Sequence, residues 1–554
     1  MAYQGKKLIN DPNDVVTEFI EGLVETYPGL QYLDGFPQIK VVLRADVLSA
    51  PYDKVAVISG GGSGHEPAHA GFVGPGMLTA AICGDVFTSP PVDSILTGIR
   101  AVTGSMGCLL IVKNYTGDRL NFGLAAEQAK SEGYKVEMVV VGDDCALPPP
   151  RGIAGRRGLA GTILVHKVAG AAADAGLSLA DVAAEAKHAS EMVGTMGVAL
   201  SVCTLPGHVT SDRLGPGLME LGLGIHGEPG AAVVDLQPVD VVVSHVLKQI
   251  LSPETKYVPI TRGSRVVLMI NGLGATPMME LMIAAGKAVP QLQVEHGLAI
   301  DRVYTGSFMT SLDMAGFSIS IMKAEPAILQ RLDAPTSAPS WPVGVEGDHP
   351  PTKIPIPVPA SCSGKTDERT FNEPQELNEQ GCMMEVAIEA AAIEIINLRE
   401  KLNEWDSKVG DGDCGSTMHR GATAVLEDMK RWYDIFCKAA YASLKGNHVI
   451  TPSQWATALE VSVAAVSKYG GAVAGYRTML DALIPASKVL REILDTGDDA
   501  LKAFLLSSEA ALTGAESTKN MHAQVIPFPS YHSRAYMVCK PAVVNVIYYN
   551  ASTI

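Results

Sequence analysis

Charge is scarce in this chain of 554 residues, and basic charge is the scarcer kind. Charged residues make up 18%, with 43 Lys plus Arg against 59 Asp plus Glu, for a formal net charge of −16. That balance argues against a nucleic acid or an anionic membrane as partner. A nucleotide handled by so acidic a protein needs a divalent metal to bring its phosphates in. Cysteine is also sparse: nine residues, no two of them three apart, give neither a zinc motif nor a disulfide framework. A reducing compartment follows. Long apolar runs are missing too. The longest, residues 266–279, is broken by Gly and Pro and falls short of the ~20 residues that cross a bilayer. Residues 1–7 lack the apolar core of a signal peptide, so the expected location is the cytosol.

What the chain has in quantity is apolar residues, 47%, and glycine, 55 residues. A soluble, loop-rich enzyme of two to four domains fits both. Two glycine loops stand out. Gly222-Leu223-Gly224-Ile225-His226-Gly227-Glu228-Pro229-Gly230 sets one histidine among four glycines, with a carboxylate two residues on. Gly60-Gly61-Gly62-Ser63-Gly64-His65-Glu66-Pro67 repeats the theme. Glycine at this density permits tight backbone turns and close approach by another molecule. A histidine there is poor core filling, and imidazole can be neutral and nucleophilic near pH 7. The alternative is a turn with a surface histidine. A dinucleotide fingerprint is excluded, because His65 stands where the third glycine of Gly-x-Gly-x-x-Gly should be.

Residues 54–59, 108–112 and 136–141 are short β-branched runs that read as buried parallel strands. Each ends in a polar or glycine-bearing loop, and residues 121–132 between two of them read as helix. This alternation predicts α/β units with ligands at the carboxyl ends of the strands. His65 and Lys113-Asn114-Tyr115-Thr116-Gly117-Asp118 sit at such ends. Taken alone, Lys113 and Asp118 could form a loop salt bridge. Residues 160–187 read as a packed helix, 198–203 as a strand and 233–250 as a helix. A second α/β unit is expected from 265 to 323, with loops at 271–274 and 304–307 that could border the same site.

Residues 335–375 turn to Pro, Ser, Thr and Asp without periodicity, which reads as an extended linker. Ser363-Gly364-Lys365-Thr366 mimics the end of a phosphate-binding loop, but Pro359 occupies the position of its first glycine. Residues 384–403 have helical periodicity and lead into Asp406-Ser407-Lys408-Val409-Gly410-Asp411-Gly412-Asp413. Three carboxylates so close repel one another without a counter-charge. Hard oxygens at this spacing suit Mg²⁺ better than Ca²⁺, since the EF-hand pattern is absent; an acidic turn is the alternative.

The two histidine loops, the Lys113–Asp118 segment and the Asp406/Asp411/Asp413 triad together resemble the single-chain, ATP-dependent dihydroxyacetone kinases. The resemblance runs from about residue 7 to 332 and resumes from 384 to 420. It implies an α/β N-terminal half of two subdomains with parallel-rich sheets (7–334), a Pro-rich linker (335–375), and an all-α helical-barrel domain for ATP (376–521). It further implies that His226 binds the ketone covalently and that Gly62 and Lys113 bind the ketose oxygens. Asp118 and His65 would prepare the hydroxyl that is phosphorylated. Asp406, Asp411 and Asp413 would hold Mg²⁺, while Arg477 and Thr478 would contact the nucleotide. A homodimer is implied, each helical domain capping the partner's ketose site. The products would be triose phosphates from dihydroxyacetone and glyceraldehyde. A flavin-nucleotide cyclising lyase, or a catalytically weak ketose-binding protein, are the alternatives.

The chain also departs from the family pattern. No Met-Gly-Gly-(Thr/Ser)-Ser-Gly-like phosphate loop lies between Ser416 and Gly475, as though a segment were missing. Tyr476 replaces an aspartate in the Gly-Asp-Arg-Thr-Met-Leu-Asp element. Residues 522–554 form an atypical β-branched and aromatic tail in place of a closing Ala-Gly-Arg motif. Slow turnover is therefore expected.

Overall fold

The computed structural model describes residues 7–48, 52–147, 155–343, 355–357, 389–390, 392–407, 412–427, 442–444, 451–470, 473–475, 480–517 and 521. The chain divides into two units, Met1–Val358 and Pro359–Ile554.

In the first unit, α1 (Val15–Thr26), β1 (Leu30–Tyr32) and β2 (Val41–Arg44) precede β3 (Ala56–Ser63) and β4 (Ala80–Val86). Then come α2 (Val92–Val102), β5 (Cys108–Lys113), α3 (Thr116–Ser131) and β6 (Val136–Val141). The sheet order is β1-β2-β4-β3-β5-β6. The four strands from β4 to β6 pair in parallel, with β2 and β1 added antiparallel at one edge. Strand alternation sorts the faces. Cys108, Leu110 and Val112 of β5 pack with α2 and α3, whereas Leu109 and Ile111 join a cluster with α4 (Thr162–Asp174) and α5 (Leu179–Glu191).

A second sheet follows from β7 (Val193–Ala199), β8 (Leu218–Leu221), β9 (Ala232–Asp235), β10 (Arg265–Gly272), β11 (Ala299–Gly306) and β12 (Gly316–Lys323). Its helices are α6 (Val239–Ile250), α7 (Met278–Pro290) and α8 (Pro326–Asp333). Val267 and Met269 of β10 face the α4 cluster, and Val266, Leu268 and Ile270 face α6 and α7. Helix α4 thus lies between two sheets, and residues 162–173 are buried on every side. Small residues suit so crowded a place: a Cβ on Gly170 would stand 2.3 Å from the Met77 backbone.

The α/β reading of this half holds, with differences in detail. The second sheet has one parallel pairing, β10 with β11, and its other four are antiparallel, so it is not parallel-rich. Hydrophobicity alone does not reveal strand direction, because β10 is buried on both faces either way. The expected helix over 233–250 is β9 and then α6, separated at Pro238, whose extended backbone caps α6. The strand expected at 198–203 starts and ends earlier, at Val193 and Ala199. Residues 160–187 break into two helices at Gly176, whose φ of +80° is left-handed. Gly60 to Gly62 are strand rather than loop: a Cβ on Gly60 would lie 2.3 Å from the Ile82 carbonyl of β4.

The described part of the second unit is helical: Arg399–Asp406, Cys414–Glu427, Pro452–Gly470, Leu480–Asp495 and Ala500–Ser517. Gly497, with φ +81°, turns the chain between the last two. They pack closely, with Ser507 donating to the Ala486 carbonyl at 2.8 Å. Arg491 of Leu480–Asp495 pairs with Glu460 of Pro452–Gly470 at 3.0 Å.

Candidate active site

The carboxyl ends of β3, β4 and β5 carry Gly64–Glu66, Phe87–Ser89 and Asn114–Asp118, all turned toward the second sheet. From that sheet come the loop after β8, with His226, and the β11–β12 connection, with Thr310 to Leu312. The two sides are sewn together through His65. The Thr310 amide donates to the His65 carbonyl at 3.0 Å and the Leu312 amide to the Gly64 carbonyl at 2.8 Å. Phe87 and Leu312 both adopt left-handed backbone, at φ 55° and 53°. Such strain costs about 1–3 kcal/mol each and gathers at functional loops. Here both residues cover Gly64, where a Cβ would meet the Phe87 ring at 2.7 Å.

Two imidazoles meet at the centre. His65 Nε2 and His226 Nε2 are 3.1 Å apart. The His65 Nδ1 lies 2.8 Å from the Thr310 carbonyl, which can only accept, so Nδ1 carries the proton. The His226 Nδ1 lies 2.8 Å from Glu228 Oε1. Burial would raise the Glu228 carboxyl, but the hydrogen bond and charge of His226 outweigh it and bring its pKa down to about 2. Glu228 is therefore the acceptor and His226 Nδ1 the donor. In the neutral state each ring thus turns a lone pair toward the other. A proton between them relieves that opposition.

Burial, followed by the charge of Lys113, pushes His65 well below the ordinary imidazole range. The Phe87 ring stacks on His65 at 5.0 Å, and the rings of Phe87 and Tyr115 stand edge-on to His226 at 5.0 and 4.8 Å. His65 is walled from water, whereas the His226 side chain keeps 21% of its surface exposed.

Lys113 ends β5 and is fully buried, and burial lowers its ammonium pKa. Its Nζ has no hydrogen-bond partner among the described residues. It lies 3.3 Å from where a Cβ on Gly61 would stand, and Asp118 Oδ2 lies 3.6 Å from the same point. Glycine at 61 leaves the space in front of both open. Asp118 occupies the first turn of α3, where the helix dipole favours a carboxylate, and Ser89 Oγ donates to it at 2.5 Å. His65, Lys113, Asp118 and His226 are thus brought into one neighbourhood. Gly62 is closely packed: a Cβ there would strike the backbone of Phe87 and Thr88 at 2.8 and 2.6 Å.

Several neighbours escaped the sequence reading. Glu228 was visible as the carboxylate of its motif, but its hold on the His226 tautomer was not. Thr310, Phe87 and Ser89 carry no local motif, since chain topology alone brings them in, while Tyr115 lies within the Lys113–Asp118 segment but without a role assigned from sequence. Asn271 proves to be a support. Its Oδ1 accepts from the Phe308 and Met309 amides at 2.8 and 2.9 Å, fixing the segment that leads to Thr310.

In the second unit Asp406 ends one helix and Asp413 precedes the next. Asn403 clasps the two helices: its Oδ1 accepts from the Ser416 amide at 2.9 Å, and its Nδ2 donates to Ser416 Oγ at 3.0 Å. Gly415 permits the crossing, because a Cβ there would lie 2.0 Å from the Arg399 carbonyl. Both ends of the acidic turn are therefore close, and Asp413 is exposed. A donor set of hard carboxylate oxygens fits Mg²⁺. The Asp406 side chain, Asp411, Arg477 and Thr478 lie outside the described residues, as do the decoy at 363–366 and the tail from 522.

Two family models match the chain, the Dak1 domain over residues 21–340 and the DAK2 domain over 431–526. A Solanum lycopersicum protein, provisionally named a 3,4-dihydroxy-2-butanone kinase, is 76% identical, the match covering 95% of this chain and 93% of that protein. The human triokinase/FMN cyclase is 40% identical, with 94% of this chain and 93% of that one covered. A crystal structure of the C. freundii dihydroxyacetone kinase in complex with AMP-PNP and Mg²⁺ superposes with a TM-score of 0.69 at 38% identity, over 93% of this chain and 94% of that chain.

Proposed function

The chain belongs to the dihydroxyacetone kinase family, and on that premise we propose that it transfers the γ-phosphoryl group of ATP to dihydroxyacetone, and to glyceraldehyde, with the carbonyl held on His226. The observation that carries this reading is the fixed tautomer of His226, with Nδ1–H on Glu228 and Nε2 left unprotonated as the nucleophile. In the capture step a bond forms from Nε2 to the carbonyl carbon. The π pair moves to oxygen, which takes up one solvent proton to give a hemiaminal, so capture binds one proton. The Nδ1 proton stays on the ring, whose positive charge Glu228 offsets. A polyol without a carbonyl cannot be held this way, which gives selectivity. Asp118, oriented by Ser89 and assisted by neutral His65, then accepts the proton of the terminal hydroxyl as its oxygen bonds to phosphorus. The leaving group is ADP. Transfer in line depends mainly on positioning and electrostatics.

Mg²⁺ on Asp406, Asp411 and Asp413 would neutralise triphosphate charge; the Asn403–Ser416 clasp supports that assignment. Arg477 and Thr478 would contact the nucleotide. The likeness to single-chain kinases also supports a homodimer in which each helical domain covers its partner's ketose site. No described helix is long and apolar enough to cross a membrane, and Cys83, Cys108, Cys145 and Cys203 are free thiols, in keeping with a cytosolic setting. No observation in this chain favours the FMN-cyclising reading carried by the name of the human relative.

The test uses carbon-13 dihydroxyacetone and labelled ATP. Wild type should show a hemiaminal carbon signal that His226→Ala lacks, and label should reach the ketose. Equal ketose affinity in the two proteins would overturn the proposal.

A further inference from the structure

Arg157 takes no part in the chemistry above, yet its guanidinium is anchored on Asp144 and reaches the His226 loop at Gly222 and beside Gly224. Its Nε donates to Asp144 Oδ2 at 2.7 Å, and Asp144 is itself buried and fixed by the Ala146 amide, which donates to Oδ1 at 2.9 Å. Its Nη2 donates to the Gly222 carbonyl at 2.6 Å. Gly222 is where the loop begins, in left-handed backbone at φ +73° with the Ala146 methyl pressed against it. The Nη1 lies 2.7 Å from where a Cβ on Gly224 would stand, and Glu228 Oε2 lies 1.9 Å from the same point. One planar cation therefore ties the buried Asp144 to the first residue of the loop and lies beside the carboxylate that orients His226. Lysine cannot do this, because its point charge lacks the rigid fork.

We propose that Arg157 is a positioning residue for carbonyl capture, holding the Gly222 end of the loop on Asp144 and setting its charge beside the Glu228 carboxylate, so that His226 keeps its Nδ1–H donor and Nε2 lone pair. The proposal rests on the function assigned above, so one readout is taken without substrate. In wild type the His226 Nδ1 proton, hydrogen-bonded to Glu228, should give a downfield proton resonance that His226→Ala lacks.

In Arg157→Ala that resonance should be lost to exchange. The KM for dihydroxyacetone should rise at least about tenfold, the size of one charge-assisted hydrogen bond, while the KM for ATP stays put. Guanidinium ion below its denaturing range should restore both, and Arg157→Lys should remain impaired. An unmoved resonance with unmoved ketose KM, or a loss that guanidinium does not reverse, would overturn the inference. Should Arg157→Ala fail to fold, Asp144→Asn keeps the side-chain shape but removes the anion behind the guanidinium. It should shift ketose KM in the same direction, and a wild-type value would overturn the inference. A wild type with the resonance but no ketose capture would sink the assigned function and leave the role of Arg157 as tether intact.

Discussion

A Cβ on Gly224 would stand 1.9 Å from Oε2 of Glu228, so the carboxylate occupies the space that a side chain at 224 would need. The loop curls round that carboxylate: the Gly224 amide donates to the Glu228 carbonyl at 3.0 Å and the His226 amide to Oε2 at 3.0 Å. Gly224→Ala should therefore expel Glu228 and cost roughly tenfold or more in ketose affinity, with little loss of global stability. Glu228→Gln should do the same for another reason. Its amide oxygen can still accept from Nδ1, but its NH₂ would face the His226 amide, donor against donor. Ketose titration of both variants checks this, and wild-type affinity in either would remove Glu228 from the capture step.

Acid should weaken the first unit through its buried imidazoles. Burial, then the Lys113 charge, lowers His166 to about 3 and pushes His65 and His69 well below the usual range. The unfolded chain protonates each near 6.5 while the folded one does not, so the unfolded state binds more protons. Their contribution is complete above pH 6.5 and drains away as pH falls toward 3. The slope is about 1.4 kcal/mol per pH unit for each group. Glu66 and Asp143, raised by burial, act in the opposite sense nearer their own range. Between about pH 6.5 and 5, His166→Gln should lower the slope of unfolding free energy by one proton. Identical slopes would mean that His166 is charged in the fold.

Much of this site is legible in the sequence because each half-motif is local. His65 with its glycines, Lys113 with Asp118, and His226 with Glu228 all lie within a few residues of a strand end, where α/β topology collects ligands. The partner of His65 is not legible. Thr310 is 245 residues away and supplies a carbonyl, a group every residue has. Strand direction in the second sheet is equally hidden, since a buried strand such as β10 reads as apolar whichever way its neighbours run. Pro238 and Gly176 were readable as breaks. Apolar residues stand on both sides of each and mask the break.

The acidic turn should bind Mg²⁺ with nucleotide. Asp411→Asn and Asp413→Asn each remove one negative charge from the acidic turn that would hold the cation. Both should lose Mg-ATP affinity by calorimetry and keep dihydroxyacetone affinity, because every residue assigned to the ketose lies in the first unit. Unchanged Mg-ATP binding in both would make this an ordinary acidic turn.

The last expectation concerns rate. Phosphoryl transfer depends on holding donor and acceptor in line, and loss of one well-placed donor commonly costs about 10²–10³. This chain has no phosphate-wrapping Gly-rich loop between Ser416 and Gly475, and Tyr476 replaces the expected aspartate. On the described helices of the second unit Trp455 is 56% exposed, and Val461, Leu501, Phe504 and Leu505 are exposed too. Apolar faces of this kind are what a helical domain short of a segment leaves open. The 554-residue chain should therefore capture dihydroxyacetone on His226 normally while its kcat lies at least about a hundredfold below that of a variant given a phosphate-wrapping segment near Trp432. Side-by-side turnover of the two proteins decides the matter. Equal rates would mean that another glycine segment, such as Gly470-Gly471, holds the phosphates.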